Sequence, residues 1–471
     1  MLKNSLLIFL LFIFSLVDVT GQDFVNRDHT YLPSIRTVQL YIPGLQNIPA
    51  FAQLRQSGGS SNGFLGTNLL TALDSFVRDP SNPADYNPEV FYRDREGRFG
   101  TSSNYQQGGT LRLSFDDLAT EARYLYYRFE HCNADWSKSD LEDFEFLSSI
   151  NEQRIKNYEF SFNTRIPYVH YWVNFPNEDQ TWTKSGNYLV HVYDSDTNEP
   201  ILTRRLVVFE EEVSINAQLI RPFLVEDINT HHEISFEVDF TNTELKDILN
   251  NISATIIQNG RWDHAIIYQK PTHYAGNTIF FENLGAYKFP AGKEFRHFDI
   301  RSFDYPTRQV LEVSKEINGT EIKLVPDQPR GTSKFWSDRD LNGSFFIQSL
   351  DNYDSPVAAD YAHILFSLQT PQPLLDEDVY IFGAFTNWEL NDQYMMHYED
   401  RYSAYFGEAT LKQGVYDYLY AAVPRDKSYI DFDRLEGNWH ETENFYTILV
   451  YYRPFGQRYD RLIGVQAISQ K

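Results

Sequence analysis

From Leu111 to Tyr171 the chain repeats its apolar positions with a period of two. Leu111, Leu113 and Phe115 fall at every second place, the spacing of a strand with one buried face. Tyr124-Leu125-Tyr126-Tyr127-Arg128-Phe129 is aromatic on both faces, which predicts a central strand. A polar elaboration runs from His131 to Glu145, after which Tyr158, Phe160 and Phe162 resume the alternation. Two strands, a polar insert and a third strand predict the heart of a β-sandwich. Ile35–Tyr41 alternates ahead of them as a first strand. Tyr188–Tyr193 and Ile201–Phe209 close the unit as a hairpin.

The same texture continues to the C-terminus. Glu210-Glu211-Glu212 marks a boundary, and Ile234–Phe240, Ala254–Gln258, Ala265–Tyr268, Thr278–Phe281 and Phe295–Ser302 read as the short strands of another immunoglobulin-like sandwich. Further strands around Asp378–Phe382, Tyr405–Leu411 and Val415–Tyr418 predict a third. No window sustains helical periodicity, so the fold class expected is all-β: tandem immunoglobulin-like or early-set β-sandwiches spanning 22–210, 211–320 and 321–471. One interval departs from this texture. Residues 43–109 hold a Gly/Ser-rich run at Ser57–Gly63, an apolar piece at Phe64–Val77 and a Pro-rich turn at Asp79–Pro83, predicting a long irregular insertion with a short amphipathic helix near Thr67–Phe76.

Composition sharpens the picture. Aromatics make up 16% of the 471 residues, with Tyr 32 and Phe 36 against Met 3, which suits pleated surfaces. Lys3 followed by the apolar run Leu6–Val17 and the small residues before Gln22 predicts a signal peptide over 1–21, too short to span a bilayer comfortably. No cysteine follows that run, so no lipoprotein anchor is expected, and no later stretch is long and apolar enough to insert in a membrane. Loss of 1–21 removes one base and one acid, so the net charge stays at −24. That charge disfavours nucleic acid and anionic lipid as partners. The lone Cys132 has no partner for an internal disulfide, so stability must come from burial.

Candidate chemistry is sparse. Glu130-His131-Cys132 sets a nucleophile beside a base, but neighbours on a strand point to opposite faces, and a buried inert cysteine is expected. Asp116-Asp117, Asp140/Glu142 and Glu441/Glu443 pair carboxylates in the manner of a glycosidase; a retaining dyad needs them about 5 Å apart across a cleft. The turn Asp194–Pro200 has the Asp-x-Asp-x-Asn spacing of a calcium loop without its glycine or bidentate glutamate, and is expected to be turn chemistry. His231-His232 is expected in a loop with solvated imidazoles. No phosphate loop, zinc motif or nucleophile elbow occurs. No catalytic residue, metal, cofactor or small-molecule substrate is therefore expected, and the chain reads as an interaction protein.

Five strings in register then carry a resemblance: SFDDL with YYRFEHCNADW, YEFSFNT, SGNYLVHVYD, LTRRLVVFE, and LEGNWHETENFYTILVYYRP with RYDRLIGV. Together they resemble the plug protein of the type IX secretion system of Bacteroidetes. The resemblance implies a periplasmic protein, peripherally associated with the outer membrane after cleavage near Gly21. Its implied partner is the giant outer-membrane β-barrel translocon, whose pore it blocks when idle. Phe64, Leu65, Leu69 and Leu70 in the insertion are the candidate partner-binding residues, chosen on length and apolar content. The third unit also resembles the early-set sandwich of glycogen-binding modules, with Gly383 and Gly414 at tight turns and Trp388 as a stacking face. Binding of surface glycans by an exported protein is accordingly the alternative function, and glycan hydrolysis a third.

Overall fold

The structure is a computed structural model that describes residues 24–41, 51–53 and 111–469, apart from 318, 339, 353, 354 and 428. The expected signal peptide, the Thr67–Phe76 helix and Phe64, Leu65, Leu69 and Leu70 lie outside the described residues.

The chain is all-β, as its alternation predicts. In the first sandwich one sheet runs, in spatial order, His29–Thr30, Pro200–Phe209, Gly186–Asp194, Leu125–Cys132 and Gln153–Arg154, with Phe51–Gln53 pairing in parallel with Pro200–Phe209. The facing sheet runs Ile35–Tyr41, Leu111–Asp117, Val169–Phe175 and Asn157–Phe160. Their inner faces meet in a core of rings and branched chains. Phe115 stacks on Tyr171 at 5.3 Å between centroids, and Phe129 sits edge-on to Phe175 at 5.1 Å, both within the range of favourable aromatic pairs.

The alternation at Tyr158, Phe160 and Phe162 was expected to lie at the heart of this sandwich. Asn157–Phe160 is instead an edge strand, paired only with Val169–Phe175 among the described strands, and all four of its residues are exposed. A period of two identifies faces and carries no information about a strand's place in the sheet. His231–Asp239 likewise corrects the expectation for His231-His232. Both imidazoles are on a strand, and that of His232 is buried, bonded to the Tyr446 hydroxyl at 2.8 Å and accepted by the His440 carbonyl at 2.7 Å.

Strand pairing divides the rest of the chain differently from its linear order. The second sandwich faces the sheet Ser214–Ile220, His231–Asp239, Thr278–Phe281 and His273–Ala275 against Arg261–Gln269, Ile252–Gln258, Phe445–Tyr452 and Arg461–Ser469. Its last two strands are the C-terminal hairpin, expected in the third unit. Every residue of Phe445–Tyr452 is buried, because one face lines the core with Phe236 and Phe281 while the other packs on the first sandwich through Leu449 and Tyr451. The third unit gains Arg296–Asp299 and Val310–Glu316. They are the outer strands of one long sheet that continues through Gly414–Pro424, Glu377–Phe382, Met395–Glu399, Ala404–Lys412, Tyr361–Gln369 and Gly319–Leu324. This sheet folds over its own core, since Phe366 touches Phe298 at 5.5 Å and Tyr418 at 5.3 Å from strands far across it. Gly414 is required there by close approach: a Cβ would collide with the backbone carbonyl of Phe346.

Candidate functional site at the seams between the sandwiches

Of the groups that the sequence singled out as candidate chemistry, His131, Cys132, Asp116, Asp117, Asp194 and Trp388 are engaged in structural contacts, whereas Asp140, Glu142, Glu441 and Glu443 are exposed. His131 and Cys132 point apart. The His131 ring bonds Ser139 Oγ at 2.9 Å and the Ser185 carbonyl at 3.1 Å, and burial pushes its pKa down to about 4. Burial pushes the Cys132 thiol well up, with the Glu130 carboxylate adding to the effect, so no thiolate forms at neutral pH. Asp116 and Asp117 face opposite sides of their strand: Asp117 holds Arg123 at 2.8 Å, while Asp116 turns outward to the third unit. The Asp194 carboxylate accepts the amides of Asp196 and Thr197 at 2.9 and 3.2 Å, an Asx-type turn. Trp388 is half-buried and already engaged: it packs on Phe382 and Phe295, and the Arg261 guanidinium lies 4.7 Å from its ring centre. Among the described residues no group of three or more His, Cys, Asp or Glu side chains is arranged to hold a metal ion.

What the structure concentrates is polar chemistry between units. On the outer face of the first sandwich, Asp116 receives Lys412 Nζ at 2.7 Å and the Tyr361 hydroxyl at 2.6 Å, both from the third unit. His170 Nδ1 lies 2.7 Å from its other oxygen. Burial opposes the Asp116 charge, yet Lys412 and His170 hold its pKa below the usual value. Lys412 also donates to the Pro356 carbonyl at 2.7 Å and sits 4.0 Å from the ring centre of Tyr168. Beside this cluster the backbone amides of Arg165 and Ile166 are taken by the Asp360 carboxylate at 2.8 and 3.2 Å. A cavity of about 270 Å³ lies along the same seam, between Ile35–Val38 and residues that include Phe385, Asn387, Gln393 and Thr410.

The second and third units meet through Arg261, whose guanidinium lies among Trp388, Phe432 and Phe382 while Asp263 takes its Nη2 at 2.6 Å. Close by, Glu294 is buried and its pKa is pushed up to about 8, first by burial and then by the neighbouring Asp340 carboxylate. The first and second units join through Tyr451, whose hydroxyl donates to Asn187 at 2.7 Å, and through Arg205, whose guanidinium lies 4.7 and 5.7 Å from the rings of Trp136 and Trp262. Each seam thus combines desolvated charge with aromatic contact, which fixes one relative placement of the units. None of these residues was legible as a partner in the sequence. Asp116 and Lys412 are 296 positions apart, and a carboxylate on the outward face of a strand reads as solvated.

One surface stands apart. Tyr158, Phe160 and Phe162 are 41%, 53% and 74% exposed along an edge of the first sandwich that no other described strand pairs with.

Residues 94–210 match the family described as the type 9 secretion system plug protein first domain. These residues contain most strands of the first sandwich and carry SFDDL, YYRFEHCNADW and YEFSFNT. Among solved structures, a hypothetical protein from Parabacteroides merdae is 28% identical and superposes with a TM-score of 0.77, covering 94% of this chain and 99% of its own. The likeness therefore extends over all three units. No protein of curated function matches the chain.

Proposed function

We propose that this chain is a non-enzymatic component of the type 9 protein secretion system. In this reading it works in the periplasm, peripherally at the outer membrane, where it seats against the open end of the β-barrel translocon and closes the pore when no substrate occupies it. The family match over 94–210 carries the reading. Two physical features support it. A stopper for a wide water-filled channel must hold its shape, and three sandwiches joined by buried ion pairs and aromatic seams meet that demand. A stopper must also leave, and a net charge of −24 keeps the released chain soluble and apart from its own copies.

The test is recovery of the tagged mature protein from detergent-solubilised native envelopes, with mass identification of what accompanies it. One very large outer-membrane barrel in stoichiometric amount is the expected result. Recovery without the barrel, together with retention on a polysaccharide column that Trp388→Ala removes, would transfer the assignment to glycan binding. The engagement of Trp388 by Arg261 and Phe382 gives that second reading no support.

A further inference from the structure

Among the described residues, only one side of the strand Asn157–Phe160 is paired. It pairs with Val169–Phe175 in the register Asn157 to Trp172, Tyr158 to Tyr171, Glu159 to His170 and Phe160 to Val169. One step further on, the Ser161 amide donates to the Tyr168 carbonyl at 2.8 Å. In an antiparallel ladder the bonded pairs alternate, so Asn157 and Glu159 also bond toward the sheet. The backbone N–H and C=O of Tyr158 and Phe160 then point away from it. The next outward amide confirms the alternation: Phe162 N–H turns outward and is accepted by the Val357 carbonyl of the third unit at 2.9 Å. The chain itself therefore adds a backbone acceptor to this edge at its far end and leaves the two preceding positions without a described partner.

The side chains of these outward positions form a row. Tyr158 packs on Phe160 at 6.1 Å and on the core ring Tyr171 at 5.9 Å, and Phe162 follows on the same face. Natural edge strands are normally blunted by proline, by inward charges or by a bulge. Here there is neither proline nor bulge, and the flanking cations are engaged: Lys156 with Asp179 at 2.6 Å and Arg165 with the Glu316 carbonyl at 2.7 Å. Two outward amides, their carbonyls and an apolar row are what strand addition uses, the backbone supplying affinity and the alternate side chains selectivity. The net charge of −24 opposes a second copy of the chain as occupant.

Resting on the plug reading, we infer that the outward edge of Asn157–Phe160 takes up an extended segment of the translocon, apolar at alternate positions, as an added antiparallel or parallel strand. The seat of this protein on the barrel is then a shared sheet.

The test uses the full mature chain and the purified translocon barrel. Phe160→Pro removes an outward amide that the sandwich does not use, and Phe160→Ala removes only the ring. Phe160→Pro should weaken binding to the barrel at least tenfold more than Phe160→Ala, with the thermal midpoint of the free protein near wild type. In wild type, hydrogen exchange at Tyr158 and Phe160 should be fast in the free chain and slow in the complex, a readout that stands even if the proline variant misfolds. A folded Phe160→Pro that binds as wild type, or amides that stay fast in the complex, overturns the docking strand and leaves the plug reading intact. Slow exchange in the free chain, or a dimer that Phe160→Pro dissolves, overturns it in favour of another occupant. No binding of wild type to the barrel overturns both readings.

Discussion

Lys412 Nζ lies 2.7 Å from Asp116 Oδ2, joining the third unit to the first through two side chains that are each 1% exposed. Removing one member of a buried pair strands the other charge, which costs about 3–5 kcal/mol. Lys412→Met should therefore lower stability by about that amount in denaturant unfolding. Replacing both, as Asp116→Leu with Lys412→Met, should recover much of the loss, because no charge is then left buried.

Glu294 gives a pH dependence of known sign. Its pKa rises from 4.5 to about 8 in the folded chain, so the fold retains a proton that the unfolded chain releases. Its contribution is present below about pH 4.5 and is lost as the pH climbs toward 8. Glu294→Gln should flatten the fall in thermal midpoint measured between pH 5 and pH 8. An unchanged slope would place the titrating group elsewhere.

Arg261 bridges the second and third units by stacking among three rings and pairing with Asp263. Arg261→Ala should cost about 2–4 kcal/mol, from lost stacking and the loss of its charged hydrogen bonds to Asp263. Calorimetry should show the single unfolding transition broadening as the third unit uncouples.

Cys132 is buried and its thiol is held protonated. Iodoacetamide should label it only after unfolding. Cys132→Ala should cost about 1 kcal/mol of stability and leave binding to the translocon unchanged. A variant of normal stability that no longer binds would contradict the structural role.

Much of the fold was legible because it rests on a local signal. Ile35–Tyr41 and Leu111–Asp117 alternate along their length, and each is a strand where the alternation predicted one. The division of the chain was not legible. Phe445–Tyr452 serves the second sandwich although it lies beyond the third, and only its burial on both faces hints that it is central there. The same limit applies to the site. Period two identified the aromatic face of Tyr158 and Phe160, whereas edge position depends on which strands fail to pair. The Asp116–Lys412 contact depends on packing between units, which no local pattern encodes.

The most direct measurement is the conductance of the purified translocon barrel in a planar bilayer, before and after this protein is added to the periplasmic side. The plug role predicts closure of an open pore, reversed when the protein is washed out. Unchanged conductance under conditions where the two are shown to bind would contradict it.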